Sequence, residues 1–148
     1  MSTRSSADSL SVANRLRPVL LQLNRQLRRE AHPLGVTGGQ VSLLVAVRKS
    51  PGIGVRDLAT REGVSAPAMS RHVARLERAG LLQRTTGAGG DRRRVGLELT
   101  HDGERVLRLV RSRRTAWLAT RLRRLDGGDL AAIEAAVEPL ATLLEAQP

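Results

Sequence analysis

The sequence predicts a mainly α-helical protein that carries one small β-hairpin. Three observations lead there. Apolar residues recur at three- and four-residue steps through most of the 148 residues, the spacing of one helix face. Between Leu82 and Leu99 that period gives way to alternation around a Gly-rich centre. Aromatic residues are 1% of the chain and Trp117 is the only one, so the core must be built from Leu, Val and Ala, which suits packed helices.

Residues 1–8 are expected to form a disordered tail. A first helix is expected from about Ser9 to Ala31, where Leu10, Ala13, Leu16, Leu20, Leu23 and Leu27 form a narrow apolar seam. Pro18 lies within it. An interior proline costs about 3 kcal/mol, so one bent helix held by packing is expected, with two shorter helices meeting at Pro18 as the alternative. His32-Pro33-Leu34-Gly35 breaks the pattern. Thr37 and Gln40 then have capping-box spacing, and Val41, Leu44 and Val45 give the buried face of a second helix that stops at Ser50-Pro51-Gly52. A third, Val55–Glu62, turns Val55, Leu58 and Ala59 inward.

The stretch Ser65–Gly80 is the centre of the chain. Ser65 suits an N-cap, Pro67 a first turn and Gly80 the left-handed position after a helix. Met69, Val73 and Leu76 define an apolar stripe, while Arg71, Arg75 and Arg78 share the opposite face. A solvated charged face would explain those arginines as well if the helix stood alone. Its neighbours decide otherwise: Gly63-Val64-Ser65 joins it tightly to the preceding helix, which makes a helix-turn-helix. The hairpin follows, with strands at Leu82–Arg84 and Val95–Leu99 and a tip ending in Arg92, Arg93 and Arg94. Residues 61–95 hold eight arginines against three carboxylates. The reading is a winged helix-turn-helix over residues 36–100, with the Ser65–Gly80 helix as a DNA recognition helix.

Thr100 caps a long helix to about Arg124, whose buried side is marked by Leu107, Val110, Trp117, Leu118, Leu122 and Leu125. Its arginines, including Arg113 and Arg114, read as a solvated face. A last helix, about Asp129–Glu145, places Leu130, Ile133, Val137, Leu140 and Leu144 in another seam, interrupted by Pro139. Residues 9–35 and 101–148 thus supply helices that a compact winged domain does not need. A second copy of the chain is the economical partner for them; a self-contained helical extension is the alternative.

Composition narrows the function. Net charge is +11, which favours a polyanion such as nucleic acid, although Lys49 is the only lysine and part of the charge reflects a general arginine bias. The absence of Cys excludes thiolate catalysis, disulfides and cysteine redox sensing. His32, His72 and His101 lack metal-ligand spacing, and no catalytic constellation or phosphate loop is present, so no enzyme, metal or cofactor is expected. His72 is expected at the edge of the core, with a place near a phosphate as the alternative, and Trp117 in a core or interface. No signal peptide and no membrane span are read, and a cytoplasmic location is expected.

Val36-Thr37-x-x-Gln40, Val64-Ser65-x-Pro67-x-x-Ser70-Arg71-x-Val73-x-Arg75-Leu76-Glu77-x-x-Gly80-Leu81-x-x-Arg84, and Asp91-Arg92-Arg93 followed by Leu99-Thr100-x-x-Gly103 together resemble the multiple-antibiotic-resistance regulator (MarR) family of bacterial transcription factors. The resemblance runs from about residue 10 to 146. It implies a homodimer that binds a pseudo-palindromic double-stranded operator as a repressor. It further implies that a small aromatic or anionic ligand, bound between the winged domain and the dimerisation helices, releases the DNA. By the same match, Ser65, Pro67, Ser70, Arg71 and Arg75 contact the major groove and phosphates, Arg93 enters the minor groove, and Arg92 and Arg94 meet phosphates. Asp91 orders the wing by pairing with an arginine. The competing reading from composition alone is a nonspecific, chromosome-organising DNA-binding protein.

Overall fold

In a computed structural model, residues 6–86 and 95–145 are described, with side chains from Ser9 onward. Six α-helices and one hairpin follow in the order α1 (Ser6–Arg29), α2 (Gly38–Lys49), α3 (Val55–Glu62), α4 (Ala66–Arg78), β1 (Leu82–Thr86), β2 (Val95–Leu99), α5 (His101–Leu122) and α6 (Gly127–Glu145). A short 3₁₀ turn, His32–Leu34, links α1 to α2. The strands pair antiparallel with Leu82 opposite Leu99, Arg84 opposite Leu97 and Thr86 opposite Val95.

The caps read from sequence do the work assigned to them. Thr37 Oγ1 accepts from the Gln40 amide at 3.1 Å while Gln40 Oε1 accepts from the Thr37 amide at 2.9 Å, a reciprocal capping box. Thr100 Oγ1 accepts from the Gly103 amide and donates to the Gly80 carbonyl at 2.6 Å, so one hydroxyl starts α5 and ties it to the end of α4. Asp126 caps α6 by accepting from the Asp129 amide at 2.8 Å, which moves the start of that helix to Gly127.

One core gathers Leu44 and Val47 of α2, Leu58 of α3, Met69, Val73 and Leu76 of α4, Leu97 of β2 and Val110 of α5. Ile53, in the loop between α2 and α3, extends the sheet. Its carbonyl accepts from the Leu97 amide, and the Gly52 amide donates to the Leu97 carbonyl at 2.8 Å. That third edge has a steric requirement: a Cβ at Gly96 would overlap the Gly52 backbone, coming within 2.7 Å of its Cα. Gly96→Ala should therefore cost about 2–4 kcal/mol of stability, because the clash is with backbone that cannot rotate away. Urea unfolding measures it; a loss below about 0.5 kcal/mol would mean that the loop yields freely.

Several expectations need correction. Helix α1 begins at Ser6, so the tail expected over residues 1–8 is shorter by three residues; residues 1–5 lie outside the described residues. The continuity of α1 through Pro18 is as expected, and Pro139 is likewise inside a continuous α6. Both prolines are exposed, so water can satisfy the carbonyls that lose their donors. Helix α5 stops at Leu122, two residues early. Of its expected buried side only Leu107 and Val110 are buried, Trp117 and Leu122 are half-buried, and Leu118 and Leu125 are exposed.

The arginines of α5 are also not a uniform solvated face. Arg113 donates to the Glu30 carbonyl at 3.1 Å and to its carboxylate at 3.2 Å, and Arg114 Nε donates to the Leu27 carbonyl at 3.0 Å. These are carbonyls at the C-terminal end of α1, which cations are suited to satisfy. Burial, and then the nearby Arg28 guanidinium, hold Arg114 below the ordinary arginine range. The two side chains fasten α1 across α5.

Candidate nucleic-acid interface

Helix α4 is held in place at both ends and along one side. Ser65 Oγ accepts from the Ala68 amide at 3.2 Å, and Pro67 sits in the first turn, where no N–H is needed. At the other end the Leu81 amide donates to the Leu76 carbonyl at 2.9 Å and the Gly80 amide to the Glu77 carbonyl at 3.0 Å. With Gly80 at φ 77°, this is a Schellman stop, which a Cβ would strain. Met69, Val73 and Leu76 enter the core. The turn from α3 uses Gly63 at φ 67°, with the Val64 amide donating back to the Ala59 carbonyl at 3.0 Å.

That anchoring leaves the other side of α4 outward. Pro67, Ser70, Arg71, Arg75 and Arg78 are all exposed. Arg71 and Arg75 stand one turn apart, and neither takes part in an ion pair among the described residues. Ser65 is exposed and its oxygen serves the cap, while its hydroxyl proton remains free to donate. The structure thus brings Pro67, Ser70, Arg71 and Arg75 onto one convex helical face. Arg92, Arg93 and Arg94, and the Asp91 pairing expected to order them, lie outside the described residues.

Two charges behave differently from the sequence count. Arg84, at the base of the wing, donates through Nε to Glu77 Oε1 at 2.9 Å. This pair joins the last turn of α4 to β1 and removes one apparent cation from the basic surface. His72 is exposed, beside the core and not within it, three residues before Arg75 on the same flank of α4. It lines a cleft of about 290 Å³ with Thr37, Gln40, Leu43, Glu62 and Arg75. The helical spacing of His72 to Arg75 was the signal available in sequence. That Gln40 stands across from them was not, because α2 is far away along the chain.

Among the described residues no three His, Asp or Glu side chains gather as metal ligands, and no helix is long and apolar enough to cross a membrane.

A model of the MarR family matches residues 34–94, from the last residue of the 3₁₀ turn to the residue before β2. An HTH-type transcriptional regulator of Mycobacterium tuberculosis is 28% identical over 137 residues, covering 93% of this chain and 95% of the relative. A crystal structure of a proposed transcriptional regulator from Pseudomonas aeruginosa PA01 has the same fold at a TM-score of 0.80, with 28% identity over 97% of this chain and 99% of that one. A mutant of S. aureus MepR, solved bound to an oligodeoxyribonucleotide, shares the fold at a TM-score of 0.69 and 19% identity, covering 89% of this chain and 96% of that one. The family match falls on the segment that carries the helix-turn-helix and the first strand of the hairpin, and the relatives extend the likeness through the flanking helices: over residues 34–94 the chain matches the MarR family, and along its length it is similar to winged helix-turn-helix transcriptional regulators.

Proposed function

We propose that this protein is a dimeric, sequence-specific repressor that leaves its operator when a small aromatic or anionic ligand binds. The observation that carries the reading is the two-sided helix α4. Its apolar stripe is fixed in the core, so its arginine face is presented rigidly and needs no reordering to meet a major groove. On this reading residues 36–100 hold the DNA. Ser65, Pro67, Ser70, Arg71 and Arg75 contact the major groove and its phosphates, Arg93 enters the minor groove, and Arg92 and Arg94 meet phosphates. Guanidinium suits both tasks, bidentate pairing to guanine and the negative potential of a narrow minor groove.

Residues 9–35 and 101–148 form the dimerisation region. The support is that Leu10, Leu20 and Leu23 of α1 and Leu130, Ile133, Val137 and Leu144 of α6 are exposed in the single chain, and that α6 buries nothing. For the ligand, the support is an open cleft of about 600 Å³ between α1 and α5, lined by Leu23, Arg25, Gln26, Trp117 and Arg121, which lies within the dimerisation helices and not between them and the winged domain. Arg121 stacks over the Trp117 ring at 3.6 Å from its centroid, so aromatic surface and positive charge stand together. The protein works in the cytoplasm, where its operator is.

Selection of bound sequences from random duplexes tests this. An inverted repeat with half-sites about 10 base pairs apart, centre to centre, is expected from a two-fold dimer reading successive major grooves. On that operator, log K against log salt should slope near about −7 if the dimer neutralises about eight phosphates. Strong binding with no enriched sequence would favour the nonspecific reading instead.

A further inference from the structure

The cleft between the start of α2 and the flank of α4 has no role in the reading so far. One wall is Thr37 and Gln40, the other His72 and Arg75, with Leu43 and Met69 as its floor and Glu62 at the α3 side. Thr37, His72 and Arg75 are exposed and Gln40 is half-buried. The capping box fixes which atoms face outward. Gln40 Oε1 is turned onto the Thr37 amide, so the side-chain Nε2 carries the hydrogens left over, and no acceptor takes them among the described residues. Thr37 Oγ1 already accepts from the Gln40 amide, so its hydroxyl proton is what it has to offer. The Arg75 guanidinium can only donate. The lip of the cleft therefore presents amide, hydroxyl and guanidinium donors, with a histidine ring that donates in either protonation state.

We propose that this cleft seats a backbone phosphate of the operator strand running beside the recognition helix, with Gln40 and His72 as its contacts. The inference rests on the DNA-binding reading and deepens it. The cleft is continuous with the face of α4, because Arg75 belongs to both. A helix lying in the major groove is flanked by phosphates, and donors beside it set its register without reading bases. Glu62 is the one carboxylate of the cleft, so the phosphate lies toward the α2 wall, away from it. Gln40 thereby does two things at once: its oxygen builds α2, and its nitrogen holds the DNA.

That division gives a clean test. Gln40→Glu keeps an acceptor for the Thr37 amide, since Glu serves a capping box as well as Gln, and an acidic residue suits a first helical turn. It replaces the phosphate donor with a carboxylate. The variant should melt at or above the wild-type temperature, yet bind its selected operator and a random duplex about tenfold more weakly, by the same factor on both. His72→Ala should weaken both duplexes in parallel. A methylphosphonate placed at the contacted position should remove most of the difference between Gln40→Glu and the wild type. Unchanged affinity in Gln40→Glu, with Arg71→Ala weakened on the same duplex, would overturn the phosphate seat and leave the DNA-binding reading standing. Unchanged affinity in both variants would overturn both. Loss on the operator alone would also overturn the seat, since it would mean that Gln40 reads a base.

Discussion

Arg71→Ala should lower affinity for the selected operator by about thirtyfold or more and flatten the preference for it over random DNA. The substitution leaves the fold alone. Arg71 is exposed, has no ion-pair partner among the described residues, and alanine is the better helix former. What is lost is a guanidinium projecting from the middle of α4, on the face opposite Met69, Val73 and Leu76. A bidentate contact to guanine contributes about 1–3 kcal/mol of discrimination, and a two-fold dimer loses it twice. Arg75→Ala should weaken binding with a smaller loss of preference, because Arg75 also lines the cleft beside α2 and shares its charge with the backbone. Anisotropy titrations on the operator and on a random duplex at one salt concentration separate these outcomes. An equal loss on both duplexes would move Arg71 to the phosphate contacts; no loss on either would remove α4 as the recognition helix.

The second large effect is expected far from the DNA. Ile133→Glu combined with Val137→Glu should turn the protein into monomers and abolish tight operator binding, while the winged domain stays folded. In the single chain these side chains are 45% and 55% exposed, so a carboxylate at either position costs the isolated fold little. Leu144, further along the seam, is 83% exposed. If the α6 seams of two copies pack together, the same substitutions bury unpaired charge, at several kcal/mol per interface. Sedimentation velocity and far-UV circular dichroism read the two consequences separately. A dimer that survives both substitutions would place the interface elsewhere. A monomeric wild type would make α1 and α6 a helical extension, as the alternative reading of the sequence has it.

Much of the local structure was legible because its causes are local. Thr37, Ser65 and Thr100 start helices through hydroxyls that reach amides three residues on, and Gly63 and Gly80 end them through backbone angles that other residues resist. The change of period at Leu82 marked the hairpin, and the buried stripe of α4 came from spacing alone. The misreadings share one feature: what each side chain meets, or fails to meet, lies on another element of the fold. Arg113 and Arg114 looked solvated because Glu30 and Leu27, which receive them, lie more than eighty residues away. Arg84 counted as basic surface until Glu77 was found against it. Leu118 and Leu125 were placed inside because helical period marks an apolar face without saying what covers it.

By itself, then, the sequence determined which helices form and, to within about three residues, where they begin and end, and which side of α4 is apolar and which is cationic. Only the tertiary structure decided that Gly52 and Ile53 join the sheet against Gly96, that α5 arginines bind the end of α1, and that Gln40 and His72 line one cleft beside α4. The physical reason is the range of each interaction. Capping and periodicity act within one or two helical turns and are written in neighbouring residues. Pairing of charges, close backbone approach and the shape of a cleft depend on segments that only packing of the core brings together.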